Sequence, residues 1–357
     1  MQNEPQRYDT AKTYQWNYDH APDIDVSPAA ETIDLGKWQF CGLDVDSPIG
    51  ISAGPLLNGT WCLHYARLGF DFLTYKTVRS RQRDCYPPPN LQPIHTNQLR
   101  GDESFVSAAD TMRGSWAVSF GMPSADPEVW RRDVEMTRDR LPKGKLLSVS
   151  VVGTMQDGWT IDDLAADYAK CARWAIQSGA DCVETNFSCP NVDTCDGQLY
   201  QDPQQSQLVC QAVRDAIGTT PLIIKIGYVN DDVATESLLS AVGPLVDAIA
   251  MTNSIATRVR QEDDWLFKGQ QRGICGQATR DASIQQVKRF ADQIRKMHFS
   301  TQLIGVGGIE SAKDARRYLD AGATVCHLAT AAMLHPKVGQ EIKRAFGLND
   351  PFKSNQT

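Results

Sequence analysis

From residue 48 onward, short apolar runs alternate with amphipathic helical patterns, and this alternation confines the chain to consecutive βα units around a parallel sheet. Strand-like runs lie near 49–53, 71–76, 116–119, 146–152, 182–186, 222–226, 246–251, 302–306 and 324–328. Helical patterns lie near 59–68, 127–140, 161–178, 204–217, 232–243, 285–297, 311–320 and 336–346. The expected fold class is α/β: a (β/α)8 TIM barrel with an N-terminal arm and long loops over its C-terminal face. Nine strand candidates exceed the eight that a barrel takes, so the weak run at 116–119 is expected as a short non-barrel or hairpin element. The expected organisation is an extended arm over 1–46, packed on the body by Tyr14, Trp16 and Tyr18, a barrel over 47–347 and a tail over 348–357.

The 357 residues, 41% hydrophobic and 22% charged, have the balance of a soluble globular protein. A net charge of −7 argues against nucleic acid as the main partner. No apolar stretch approaches the ~20 residues of a membrane helix, so no membrane partner is expected. The first 45 residues lack the basic start and apolar middle of a signal peptide, so the expected location is cytoplasmic. The ten cysteines are scattered, with no Cys-x-x-Cys pair, which gives no metal or iron–sulfur signal. Most are expected to be small buried hydrophobes.

The chemistry-bearing residues fall at the ends of the strand-like runs. Residues 186–191 read Asn-Phe-Ser-Cys-Pro-Asn, placing the Cys189 thiol between the amides of Asn186 and Asn191 at a strand's C-terminal end. Barrel enzymes keep their chemistry at that face, and a thiol there can take a proton from carbon. Asn253-Ser254 adds a third strand-end amide, and together they form a pocket for a planar, polar substrate. Lys225 stands within Leu222–Ile226 and is expected to point inward to a partner at the barrel mouth, since lysine is rarely buried unpaired. An ammonium there suits the edge of a flavin that gains negative charge on reduction. Lys76, taken alone, reads as a lysine snorkelling from a strand end.

Gly307-Gly308 and Ala329-Thr330 follow the last two strand-like runs, where barrels often cradle a phosphate on backbone N–H groups. Two tight turns without a ligand are the other reading. The connections 77–115 and 254–284 are long, without helical period, and leave from the face of Cys189. Long connections of this kind usually carry function or cover a site.

These segments resemble the dihydroorotate dehydrogenase family of FMN-dependent (β/α)8 barrels, over roughly residues 40–346. The hexapeptide is similar to the Asn-Leu-Ser-Cys-Pro-Asn of the class that uses cysteine as its base and differs only at Phe187. The resemblance implies Cys189 as catalytic base. It implies Lys76, Asn186, Asn191, Asn253 and Ser254 as substrate-binding residues. It also implies an FMN site built from Ser52, Ala53, Gly54, Lys76, Thr77, Asn186, Lys225, Gly276, Gly307, Gly308, Ala329 and Thr330. No metal is implied, and a homodimer is compatible with it.

The departures bear on the substrate. Where the family has Asn-Ser-Met-Gly-Leu-Pro-Asn, this chain has Val118-Ser119-Phe120-Gly121-Met122-Pro123-Ser124, so two amides become Val118 and Ser124. A pocket that loses a hydrogen-bonding partner discriminates strongly against the group it served. The expected activity is FMN-dependent oxidation of a CH–CH bond, with dihydroorotate as the leading small-molecule substrate. The alternatives are another pyrimidine-like or enone substrate, a flavin-binding barrel without catalysis, and a phosphate-binding barrel without flavin.

Overall fold

The computed structural model describes residues 4–25, 29, 31–188 and 198–348. Cys189, Asn191 and Cys195 lie outside the described residues.

Eight parallel strands close into a barrel in chain order: Ile49–Ile51, Phe72–Val78, Leu146–Val151, Cys182–Asn186, Leu222–Lys225, Ala248–Met251, Gln302–Val306 and Val325–Leu328. The last strand returns to the first through the pairings Cys326 with Ile49 and Leu328 with Ile51. The strands read as nearly continuous apolar runs because both faces are covered, by helices outside and by side chains within. Helices between the strands start where the sequence supplies caps. Thr160 and Asp163 form a reciprocal capping box before Ile161–Gln177, and Asp202 caps the helix Pro203–Ile217.

The ninth strand candidate, at 116–119, is Ser115–Val118 and lies outside the barrel. It belongs to a second sheet built from the two long connections. Leu91–His95, Phe105–Ala108 and Ser115–Val118 come from the first, and Ile255–Gln261, Asp264–Trp265 and Arg272–Gly276 from the second. Ser115–Val118 pairs antiparallel with Arg272–Gly276, and Phe105–Ala108 pairs with Ile255–Gln261. The two connections therefore form one cap.

The arm expected as extended contains two built elements. Thr13 caps a helix over Tyr14–Asp19, whose Tyr14 ring packs 5.7 Å from Phe120 of the cap. Trp16 is half-buried and stacks on His20 at 4.2 Å. The hairpin Trp38–Phe40 with Leu43–Val45 buries Phe40 and Val45 against Phe72, Leu146, Ile223 and Ile304, filling the N-terminal end of the barrel. Nearby, fully buried Asp71 is paired with Lys145 and Lys343, which ties the last helix, Val338–Leu348, to the second strand.

The described cysteines are free thiols, and five of them (Cys62, Cys171, Cys182, Cys210 and Cys326) are buried. Among the described residues no helix is long and apolar enough to cross a membrane, and no group of three or more His, Cys, Asp or Glu could hold a metal ion.

Candidate active site

One cleft of about 1200 Å³, its mouth included, lies between the C-terminal end of the barrel and the cap. Ser52, Ala53, Gly54, Lys76, Thr77, Asn186, Lys225, Asn253, Ser254, Gly276, Gly307, Gly308, Ala329 and Thr330 all line it. The strand ends bring together residues from across the chain because parallel closure points every C-terminal end to the same side.

Asn186 ends the fourth barrel strand, where Tyr168 donates to its backbone carbonyl at 3.0 Å. Its Oδ1 accepts from the Ser188 N–H at 3.1 Å, and its Nδ2 reaches Thr77 Oγ1 at 3.4 Å. Asn253 donates from Nδ2 to the Ser188 carbonyl at 2.7 Å. Both polar groups of the Ser188 backbone are therefore held by side-chain amides, one from each of two strand ends. Phe187, between them, turns away and packs fully buried against Tyr168, so its difference from leucine does not reach the cleft.

Lys225 points inward as expected, and its partner is Glu184: Nζ lies 3.0 Å from Oε1, with both side chains almost fully buried. Lys76 does not snorkel to solvent. It is buried, with Nζ 3.5 Å from the Gly54 carbonyl and 4.8 Å from the Phe120 ring centroid, under the Tyr14 ring at 5.5 Å. Contact of an ammonium with ring faces offsets part of its desolvation.

The glycine turns are closely packed. Gly308 has φ +62, and a Cβ there would lie 2.8 Å from Arg280 Cβ and 2.9 Å from the Gly276 carbonyl. Gly276 has φ +99, and its Cβ would meet the Gly114 carbonyl at 2.1 Å. Only glycine lets these backbones come together at the cleft wall. At Gly54 the direction of a side chain meets nothing within 4 Å, so the cleft has open room against that backbone.

Of the two departures, only Val118 faces the cleft. Ser124 is buried elsewhere: its Oγ accepts from the Arg79 N–H at 3.0 Å and donates to the Ala125 carbonyl at 2.9 Å. Val118 stands in an apolar wall with Leu91, Trp116, Phe120 and Met122, all from the cap. The amides and lysines lie on the barrel side.

Two residues of the site, Glu184 and His327, escaped the sequence reading. Glu184 is the partner of Lys225. His327, fully buried on the last strand, lines the cleft, and neither ring nitrogen has a hydrogen-bond partner among the described residues. Burial, with the Lys225 charge nearby, pushes its pKa down to about 3, so the ring is neutral. Cys275 lines the cap side with Sγ 3.6 Å from the Asn253 carbonyl, and burial pushes its thiol up to about 12. The sequence signal for Glu184 and His327 was present: a charged or polar residue inside an apolar strand, the signal that singled out Lys225.

These features fit a flavin mononucleotide. A buried ammonium faces the cleft, Ser254 Oγ is buried without a hydrogen-bond partner among the described residues, and the Gly54 backbone is open to a flat ring. The turns after the last two strands stand where barrels bind phosphate. Fold and site together define the class of flavin-binding (β/α)8 barrels. A sequence model described as dihydroorotate dehydrogenase matches residues 109–348, well over half of the chain, and the chain belongs to that family, whose members are FMN-dependent oxidoreductases.

Among its relatives is a dihydroorotate dehydrogenase of Dictyostelium discoideum, 29% identical over 94% of this chain and 95% of the relative. A dihydroorotate dehydrogenase (quinone) of Chromobacterium violaceum is 26% identical over 91% of this chain and 88% of its own. The fold is that of the Eimeria tenella DHODH solved in complex with ferulenol, with a TM-score of 0.75 at 18% identity, covering 98% of this chain and 94% of that one.

Proposed function

We propose that this protein oxidises a saturated C–C bond beside a carbonyl in a small cyclic substrate, with dihydroorotate as the leading candidate and Cys189 as the base. The single observation that carries this reading is the convergence of Lys76, Asn186, Lys225 and Asn253, from positions on or just beyond four separate barrel strands, on one cleft with paired glycine turns. FMN, when bound, supplies a hydride acceptor.

The chain's own residues orient the substrate and move the proton. Asn253 and Asn186 hold the Ser188 backbone, which is the last described position before Cys189. The bond that fixes this turn leaves Asn253 Oδ1, with Ser254 Oγ, to engage a polar ring, while Asn186 is held at both ends, by Ser188 and Thr77. Holding substrate and base in register is where positioning contributes most to rate. The cap's apolar wall excludes water from the reacting face.

Val118 favours a second reading, in which the substrate is another pyrimidine-like or enone compound that presents an apolar edge to the cap. Dihydroorotate added without oxygen separates the two. Bleaching of the flavin bands by dihydroorotate supports the first. Bleaching only by a different ring substrate supports the second, and no flavin in the purified protein sinks both. Heat release followed by mass identification should return FMN, and FAD alone would contradict the assignment of a single-phosphate site.

A further inference from the structure

Resting on the flavin reading above, we propose that Glu184 sets the reduction potential of the bound FMN by partly cancelling the charge of Lys225. Glu184 is thus a positioning residue that acts through the lysine.

The two residues lie on adjacent barrel strands in a fixed register, in which Lys225 is level with Asn186 and Ile223 with Glu184. Side chains two apart on a strand share a face, so Glu184 stands one step deeper than Asn186 on the inward side. Lys225 lines the cleft, whereas Glu184 does not and is fully buried. The ammonium therefore stands between the carboxylate and the cleft, 3.0 Å from Oε1. Apart from the Lys225 ammonium, neither carboxylate oxygen of Glu184 has a hydrogen-bonding partner among the described residues. Its charge is not spread over backbone or hydroxyl donors and acts on Lys225.

Among the described residues the cleft is lined by one other cation, Lys76, and Glu184 is paired with Lys225 alone. His327 lines the same cleft and is held neutral by its burial. Lys76, the other lysine of the cleft, is packed over the Phe120 ring. What the floor presents to a flavin is thus a lysine whose charge is offset by one carboxylate. A reduced flavin carries more negative charge than an oxidised one, so a bare cation here would raise the potential and a paired one raises it less. In a buried site these effects are far larger than in water.

The test uses the holoprotein as wild type, Glu184→Gln and the double variant Glu184→Gln/Lys225→Met. Midpoint potentials are read against reference dyes, and sulfite, which adds to flavin to give an anionic adduct, is titrated as an independent probe of positive charge. Glu184→Gln should shift the reduced-to-oxidised ratio toward reduced by roughly tenfold, about 30 mV for a two-electron couple, and should tighten sulfite binding by a similar factor. The double variant should fall below the wild type in both readouts.

A Glu184→Gln potential equal to or below the wild type would overturn the proposal, as would a double variant indistinguishable from Glu184→Gln. A merely structural Glu184 would lose flavin occupancy without a rise in potential. Should Glu184→Gln not retain flavin, Glu184→Asp decides: withdrawing the carboxylate by one methylene should give a smaller rise, and no rise counts against the proposal. The flavin content of the wild type reads the underlying assignment separately.

Discussion

The Asn253 side chain donates to the backbone carbonyl of Ser188 at 2.7 Å, tying the end of the sixth barrel strand to the turn that follows the fourth. Asn253→Ala should leave that carbonyl without its donor and loosen the turn leading to Cys189. The expected result is a roughly 10- to 100-fold slower flavin reduction at saturating substrate, within the range typical of lost positioning, with FMN content retained. Asn253→Asp should be slower still, because a carboxylate oxygen would face the carbonyl. Rapid-mixing reduction rates distinguish these outcomes, and an unchanged rate in both variants would remove Asn253 from the site's machinery.

Removing the Lys225 ammonium should cost stability as well as flavin affinity. Lys225→Met leaves Glu184 buried beside an apolar side chain, and breaking such a pair costs about 3–5 kcal/mol. Glu184→Gln/Lys225→Met should recover most of that loss, since two neutral groups of similar volume replace the pair. Urea unfolding of the apoproteins measures both. Full flavin occupancy and wild-type stability in Lys225→Met would remove the lysine from both the flavin site and the stability of the fold.

Much of this architecture was legible because closed parallel barrels write their strands as apolar runs. Lys225 stood out against Ile223 and Ile224, and Gly307-Gly308 marked a turn at the right strand. The cap was not legible as a sheet: Ser115–Val118 finds its partner in Arg272–Gly276, far along the chain, and neither strand is apolar enough to announce a pairing. The hairpin Trp38–Val45 was hidden for a related reason, since its three-residue strands show only one buried position each. Glu184 and His327 could have been found by the argument applied to Lys225. Glu184 stands two residues before Asn186, and His327 two residues before the turn at Ala329-Thr330, each a charged or polar residue inside a buried strand.

Val118→Asn tests the substrate directly. The valine lies in the cap's apolar wall, facing the amides and lysines of the barrel. If dihydroorotate is the substrate, a polar edge of it meets that wall unpaired, and restoring an amide should raise kcat/KM about 10- to 100-fold, the value of one good hydrogen bond to a charged or buried group. A fall in kcat/KM for dihydroorotate would mean that the apolar wall matches the natural substrate, and the second reading would take precedence.

Acid should weaken the fold from the histidine range downward. His64 is buried with Nε2–H directed at the Gln6 carbonyl, 2.9 Å away, and burial pushes its pKa from 6.5 down to about 4. The unfolded chain binds this proton more readily, so the stabilising contribution is complete above 6.5 and declines as pH falls from 6.5 toward 4. His327, pushed down to about 3, acts in the same direction over a longer range. Asp46 and Glu310, both raised by burial, act oppositely in the carboxylate range. His64→Gln keeps a donor for Gln6 and removes the titration, so its stability should depend on pH less steeply between 6.5 and 4, by up to one proton. Equal slopes in urea unfolding at several pH values would contradict this.

The base role proposed for Cys189 comes from its place in the sequence, between Asn186 and Asn191 and directly after the clamped Ser188. Cys189→Ser is nearly isosteric, so fold and flavin content should be kept while substrate-driven reduction slows roughly 10²- to 10⁴-fold at neutral pH, the usual share of a positioned acid–base group. A serine hydroxyl is a much weaker acid than a thiol, so the deficit should shrink as pH rises. The competing thiol is Cys195, six residues on. Cys275 also reaches the cleft, but its thiol, raised to about 12, is a poor source of thiolate at neutral pH. The comparison is therefore Cys189→Ser beside Cys195→Ser, each reduced by whichever substrate bleaches the wild-type flavin. A large loss confined to Cys195→Ser would transfer the role to that residue. Near wild-type rates in both would mean that no cysteine of this segment takes the proton, and the proposed reaction would need a different base.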